Sequence, residues 1–338
     1  WCDDALVPVN LSDAARSIRS IASLAAAVPG RKRQTFTVEI YVPKKTQAGD
    51  RRFSIEIRCR KSVWVVNGQL KVHRFELPDK PACTADINNY GRAPASGFEG
   101  ALDDPRRYLK IERAYFREAR KHRVMFHLLP YTHAGRIEPG FAPILKGRGR
   151  SRCVADWAPF DKHWGSYLDG RAYRGIYSGW DWPVEYLYTP VNLNWPASFE
   201  NFGKPGYEWE FKQVLGEMAR HFAAKKWTGT KFEVFFNHKT RYKFFPWDMD
   251  EIFFEADNEA TEYFGRMVNE VATRFAKVKI INRIDSDEIF QESVRTSMGE
   301  VIQLWVVGRG AHAASPDEVK LLREKGQAVW FYGGAGVV

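Results

Sequence analysis

The hydrophobic rhythm of this 338-residue chain changes near residue 80. Residues 11–28 place Leu11, Ala14, Ala15, Ile18, Ile21, Ala22 and Ala25 at helical spacing, which predicts a helix. The period then falls to two: Phe36, Val38, Ile40 and Val42 alternate with Thr37, Glu39 and Tyr41, and Phe53, Ile55 and Ile57 alternate again. Such alternation predicts antiparallel strands with one face buried. Val63 to Val66, then Asn67-Gly68, then Leu70 and Val72 reads as a hairpin, because Asn-Gly supplies the two positive φ angles of a type I′ turn. The pattern therefore predicts the C-terminal part of an antiparallel β-sandwich over 1–80, with its earlier strands preceding Trp1. Leu77-Pro78-Asp79-Lys80-Pro81 reads as the linker, since two prolines deny regular pairing.

From residue 82 onward strand-like and helix-like patterns alternate. The strands are expected at Thr84–Asn88, Val124–Leu129, Tyr186–Asn192, Phe232–Asn237, Val278–Asp285, Val301–Val307 and Ala328–Tyr332. Asp104 with Pro105 starts one helix, whose buried stripe is Tyr108, Ile111, Tyr115 and Ala119. Others are expected over 206–225, after an Asp257 cap, after Ser315-Pro316, and briefly from Pro159 to Leu168 inside a long excursion. This alternation predicts a parallel α/β fold, a (β/α)8 TIM-type barrel over 82–338. Only seven strands are countable, so the last strand and helix unit is expected to lie outside this sequence.

With 44% hydrophobic residues the chain is globular rather than disordered. Its net charge is +10, but the basic residues are scattered. Only Gly30-Arg31-Lys32-Arg33 and Lys146-Gly147-Arg148-Gly149-Arg150 form runs, so nucleic acid is not an expected partner. Twelve Trp and fourteen Tyr change the picture more, because several fall at strand ends or in loops. Aromatic faces stack on the C–H faces of sugars, which makes carbohydrate the favoured ligand class. Cys2, Cys59, Cys83 and Cys153 form no CxxC, and His133 and His238 have no ligand spacing, so neither metal nor other cofactor is expected. One or two disulfides remain compatible with the four cysteines. No run of 18 apolar residues exists to span a membrane.

The chemistry is expected where apolar strands end in polar residues, since barrel enzymes keep their sites at C-terminal strand ends. Phe232 to Phe236 stops at Asn237-His238-Lys239, and Trp247-Asp248-Met249-Asp250-Glu251 follows after a short aromatic and basic run. Asp250 and Glu251 are thus candidate catalytic carboxylates, against the alternative of a solvated loop. Asn88, Tyr90, His127, Asn192, Asn237 and Lys239 are candidate sugar contacts at or near strand ends. Trp195, Trp330 and Tyr332 are candidate stacking platforms, while Trp305 reads as core. Arg283 and Asp285 end the fifth strand; Asp285 is either a second acidic site residue or half of an Arg-Asp pair that ties strand ends together.

These phrases carry a family likeness. Val38-Glu39-Ile40-Tyr41-Val42-Pro43-Lys44 with Ala48-Gly49, and Phe75-Glu76-Leu77-Pro78, resemble the N-terminal module of glycoside hydrolase family 123 and its uncharacterised glycoside-hydrolase-like relatives. Asn237-His238-Lys239, Asp250-Glu251, Asn282-Arg283-Ile284-Asp285-Ser286 and Trp330-Phe331-Tyr332-Gly333-Gly334 are similar to phrases of the same relatives. The resemblance implies a retaining exo-β-N-acetylhexosaminidase, N-acetylgalactosaminidase-like, that uses the substrate's own 2-acetamido group as nucleophile. It implies that Asp250 orients the acetamido nitrogen and that Glu251 protonates the departing oxygen and then activates water. Trp247, beside the pair, would be a low-dielectric wall. A polymeric substrate would imply secretion or periplasmic residence.

Three other readings stay open. A two-carboxylate glycosidase of other specificity would use Asp285 as nucleophile. A non-catalytic carbohydrate-binding protein on a decayed barrel would keep the aromatic platforms without convergent carboxylates. A polyanion binder would need Lys and Arg gathered on one face.

Overall fold

The computed structural model describes residues 40–59, 62–240, 245–286 and 298–333. It divides into two compact units, Trp1–Leu77 and Pro78–Val338. The helix expected over 11–28, the Gly30 to Arg33 run, and Phe36 and Val38 of the first expected strand lie outside the described residues.

In the first unit, β1 (Gly49–Cys59) and β2 (Ser62–Val72) pair antiparallel from Gly49↔Val72 to Cys59↔Ser62. The expected turn at Asn67-Gly68 is not one. Those residues lie inside β2, opposite Ser54 and Phe53. A Cβ at Gly68 would come 2.2 Å from Cζ of Phe53, so glycine serves here to let an aromatic ring approach the facing backbone. Ile40, Tyr41 and Val42 are exposed and belong to no strand. Among the described residues this unit is a two-stranded ribbon.

In the second unit each of the seven apolar runs contributes a strand: β3 (Asp86–Tyr90), β4 (Met125–Leu129), β7 (Tyr186–Tyr188), β8 (Lys231–Phe235), β9 (Lys279–Asp285), β10 (Leu304–Gly308) and β11 (Ala328–Tyr332). A short antiparallel pair, β5 (Ile144–Lys146) and β6 (Cys153–Asp156), sits in the long excursion. The (β/α)8 barrel is nevertheless overturned. Among the described residues there are six helices and an open, five-stranded parallel half-barrel in the order β11-β10-β9-β8-β7, with β3-β4 as a separate parallel pair. Closing a barrel requires a continuous ladder of constant stagger, and no backbone ladder joins β4 to β7. Apolar runs reveal how many strands exist, but not whether neighbours hydrogen-bond.

The helices are α1 (Pro105–Lys121), α2 (Ala158–Leu168), α3 (Tyr207–Ala224), α4 (Glu255–Arg274), α5 (Arg309–Ala314) and α6 (Pro316–Glu324). Asp104 caps α1 by accepting from the N–H groups of Arg106 at 2.9 Å and Arg107 at 3.2 Å. α4 begins two residues before Asp257. That carboxylate still closes the helix start, accepting from the N–H groups of Phe253, Phe254 and Asp248. Helices α3 and α4 pack on the outer face of the sheet, where Phe232, Phe211, Phe222, Phe264 and Val268 are fully buried. Burial of each such side chain contributes roughly 1.5–3 kcal/mol.

The registers put Tyr188, Glu233, Arg283, Asp285, Val306 and Trp330 on the other, concave face. That face is charged as well as aromatic, and it positions the site. Cys83 and Cys153 are free thiols, while Cys2 and the Cys59 side chain lie outside the described residues. No helix among the described residues is long and apolar enough to cross a membrane.

Candidate active site

Arg283 is the hub of the concave face. Its side chain is 4% exposed, and a guanidinium so removed from water needs paired carboxylates. Asp285 supplies a bidentate pair, Nε to Oδ1 at 2.6 Å and a terminal nitrogen to Oδ2 at 2.8 Å. Glu233 Oε2 lies 3.3 Å away and Asp86 Oδ2 3.9 Å. The rings of Phe235, Tyr188 and Trp330 surround the cation at 5.1, 5.2 and 6.0 Å. Burial works against the Arg283 charge, but the carboxylates, Asp285 foremost, outweigh it and hold the group firmly protonated. Burial likewise raises the pKa of Glu233, against the pull of His127 and Arg283.

The Arg-Asp pair expected at the end of the fifth strand therefore forms, and Asp285 still faces the site. Its carboxylate and that of Glu251 both bear electrostatically on Asp250. Asp250 lies far along the chain from the tip of β8, yet the fold brings it back. Met249 donates its N–H to the carbonyl of His238 at 2.9 Å, and Asp248 accepts from the N–H and hydroxyl of Thr240. Lys239 then pairs closely with Asp250 and lies 3.5 Å from Glu251. Burial pushes the Asp250 carboxyl from an ordinary 3.8 up to about 6; the Lys239 ammonium opposes this, and Asp285 and Glu251 reinforce it. Glu251 differs, with a side chain 46% exposed.

Tyr90 and Asn237 complete this mouth. The Asn237 amide hydrogen-bonds the Tyr90 hydroxyl, and burial raises the pKa of that phenol against the Asn237 bond, with Asp250 adding to the rise. Asn237 is buried, and its N–H donates to the hydroxyl of Tyr131 at 3.4 Å. The neighbouring His238 has a structural role. Its Nε2 accepts from Leu193 N–H at 3.2 Å, Nδ1 donates to the carbonyl of His133 at 3.0 Å, and burial lowers its pKa to about 3. The neutral ring ties three loops together behind Asn237.

The other sequence candidates separate. His127 lies at the floor, 1% exposed, with Nδ1 3.3 Å from Asp86 Oδ2. Asn88 is exposed in β3, on the face it shares with His127. Trp330 is half-buried, edge-on to Tyr186 at 4.8 Å, and Tyr332 is exposed at the end of β11. Asn192 is held within its own turn, its amide donating to the carbonyl of Pro190 and accepting from Asn194 N–H, and Trp195 closes that turn. Trp247 packs edge-on against Phe202 at 5.2 Å and Phe199 at 5.9 Å, in the aromatic cluster that holds Phe264. Trp305 is core, as its pattern implies.

Sequence reasoning missed Asp86, Tyr188 and Glu233 as site residues. Glu233 is a charged residue inside an apolar run, Phe232 to Phe236, and that interruption is the signal that marks it. The unpaired atoms Asp86 Oδ1, His127 Nε2, Tyr188 OH and Glu233 Oε1 all belong to this floor. No group of His, Cys, Asp and Glu among the described residues is arranged to hold a metal ion. A groove of about 760 Å³ lies elsewhere, lined by α3 and α4; its Lys212 is neutralised by Glu208 and Glu270, and it shares no residue with the cluster. No protein-family model matches the chain, and no curated protein matches it in sequence.

Proposed function

We propose that the chain is a glycoside hydrolase whose proton donor is Asp250 and whose ionised second carboxylate is Asp285. The observation that carries this reading is Asp250 itself, a buried carboxyl with a pKa of about 6, beside Asp285 locked to a buried guanidinium. Glycoside hydrolysis needs two carboxyl groups in unlike environments, one protonated and one charged near neutral pH. In the step proposed, the Asp250 proton passes to the glycosidic oxygen as the C1–O bond breaks. The Asp285 carboxylate then attacks C1 or takes a proton from the attacking water, according to its distance from Asp250. Lys239 keeps Asp250 oriented, and solvent restores the proton that Asp250 gives up.

The resemblance to glycoside hydrolase family 123 supports the same class. It implies the opposite division of labour, with Glu251 as acid. Glu251 lacks the burial that this role requires, so within the pair Asp250 is the better donor.

The test is hydrolysis of a panel of nitrophenyl glycosides, including the β-N-acetylgalactosaminide and β-N-acetylglucosaminide, by the full chain and by Asp250→Asn, Asp285→Asn and Glu251→Gln. Loss of turnover in the first two with retention in the third is expected. Loss in Glu251→Gln alone would return the role to Glu251, and silence of the parent protein across the panel would favour a carbohydrate-binding protein.

A further inference from the structure

The charge of the site opposes that of the chain. Among the described residues, Asp86, Glu233, Asp250, Glu251 and Asp285 meet two fixed side-chain cations, Lys239 and Arg283. With Asp250 holding its proton as the acid and burial pushing Glu233 towards its neutral form, Asp86, Glu251 and Asp285 still outnumber those two cations. A chain of net charge +10 thus concentrates negative charge in one concave place, which favours a cationic ligand there and repels an anionic one.

A second observation concerns hydrogen bonding. Asn237 is 1% exposed, its amide is engaged by Tyr90, and its Oδ1 has no partner. Asp86 Oδ1, deeper in the cluster, is also buried and unpartnered. Both atoms are acceptors, so the group that completes them is a donor. Tyr90 adds a ring, 45% exposed, beside Asp250, Lys239 and Asp285, and a ring face attracts a cation. An ammonium group is donor-only and charged, and answers all three features. An acetamido group brings an acceptor carbonyl and no charge.

We propose that the site takes a 2-amino-2-deoxyhexose unit whose amine is free, the ammonium being received by Glu251 and Asp285 beside Asn237 Oδ1. This deepens the glycoside-hydrolase reading and rests on it for bond cleavage; recognition of the ammonium rests on the charge balance and the unpartnered acceptors.

The experiment is calorimetric binding of three oligosaccharide series to the full chain: fully deacetylated β-1,4-glucosamine oligomers, their N-acetylated counterparts, and cello-oligosaccharides. The amino series is expected to bind at least about tenfold more tightly than either of the others, with the advantage shrinking as salt rises. Asp285→Asn and Glu251→Gln should each cut that advantage several-fold. Glu251 is half-exposed, so its variant reports even where Asp285→Asn fails to fold. Equal or tighter binding of the N-acetylated series, no binding of the amino series, or an advantage untouched in a folded Glu251→Gln would overturn the proposal. Cleavage of N-acetylhexosaminides without an amino-sugar preference would sink this inference and leave the hydrolase reading standing. A clear amino-sugar preference with no cleavage of any glycoside would do the reverse.

Discussion

His127 and Tyr188 stack face to face, with ring centroids 3.7 Å apart and planes 9° from parallel. The contact bridges β4 and β7, the two strands between which the backbone ladder is missing. A pair of rings thus holds together the half-barrel sheet and the β3-β4 pair where hydrogen bonds do not. The Arg283 guanidinium lies 5.2 Å from the same Tyr188 ring, so the seam and the site share a residue.

The Tyr188 hydroxyl is buried without a partner, which separates the effects of ring and hydroxyl. Tyr188→Phe should be neutral or slightly stabilising, since it removes an unsatisfied polar group. Tyr188→Ala should cost about 3–5 kcal/mol, as for other large aromatic truncations in a core. Urea unfolding of both variants checks this; a large loss in Tyr188→Phe would mean that the hydroxyl is bonded.

Asp250 couples stability to pH. Its folded pKa of about 6 exceeds the ordinary 3.8, so the folded protein keeps a proton that the unfolded chain has already released between those values. The stability it contributes is present below about pH 4, falls as pH rises towards 6, and is lost above it, by on the order of 3 kcal/mol. Asp250→Asn should therefore gain stability relative to the parent across that window and run parallel to it outside. Melting curves from pH 4 to 7.5 measure the difference. Lys239→Ala, which removes the opposing ammonium, should move the inflection to higher pH.

Removing the hub should be costly. Arg283→Met strips from Glu233 and Asp86 the one fixed cation they pair with among the described residues and leaves a buried carboxyl uncompensated, for a loss of about 3–5 kcal/mol. Adding Glu233→Gln should recover part of that loss. A double-mutant cycle by chemical denaturation gives the coupling; a value near zero would show that the two groups do not depend on each other.

In the first unit, Gly68→Ala forces a methyl group against the Phe53 ring and should destabilise the ribbon by about 1–2 kcal/mol. Phe53→Leu should relieve most of it. Amide hydrogen exchange along β1 and β2, measured in the single and double variants, reports on the ribbon directly.

The existence and order of the seven strands after residue 82 were legible in the sequence, because alternation and apolar runs are local properties of the chain. So were the start of α1 at Asp104-Pro105 and the polar strand ends, among them Asn237, Lys239, Arg283 and Asp285. Pairing was not legible. Asn67-Gly68 reads as a turn in isolation, and only the eleven residues of β1 lying opposite make it mid-strand. The missing ladder between β4 and β7 is equally invisible, since backbone hydrogen bonding depends on strand position and tilt rather than on residue type. The site divides in the same way. Adjacent carboxylates could be found by reading along the chain, but their difference is a matter of burial, which only the return of the 245–251 loop onto β8 decides. Glu233, Asp86 and Tyr188, scattered over nearly 150 positions, become one charged floor only when three strands bring them together.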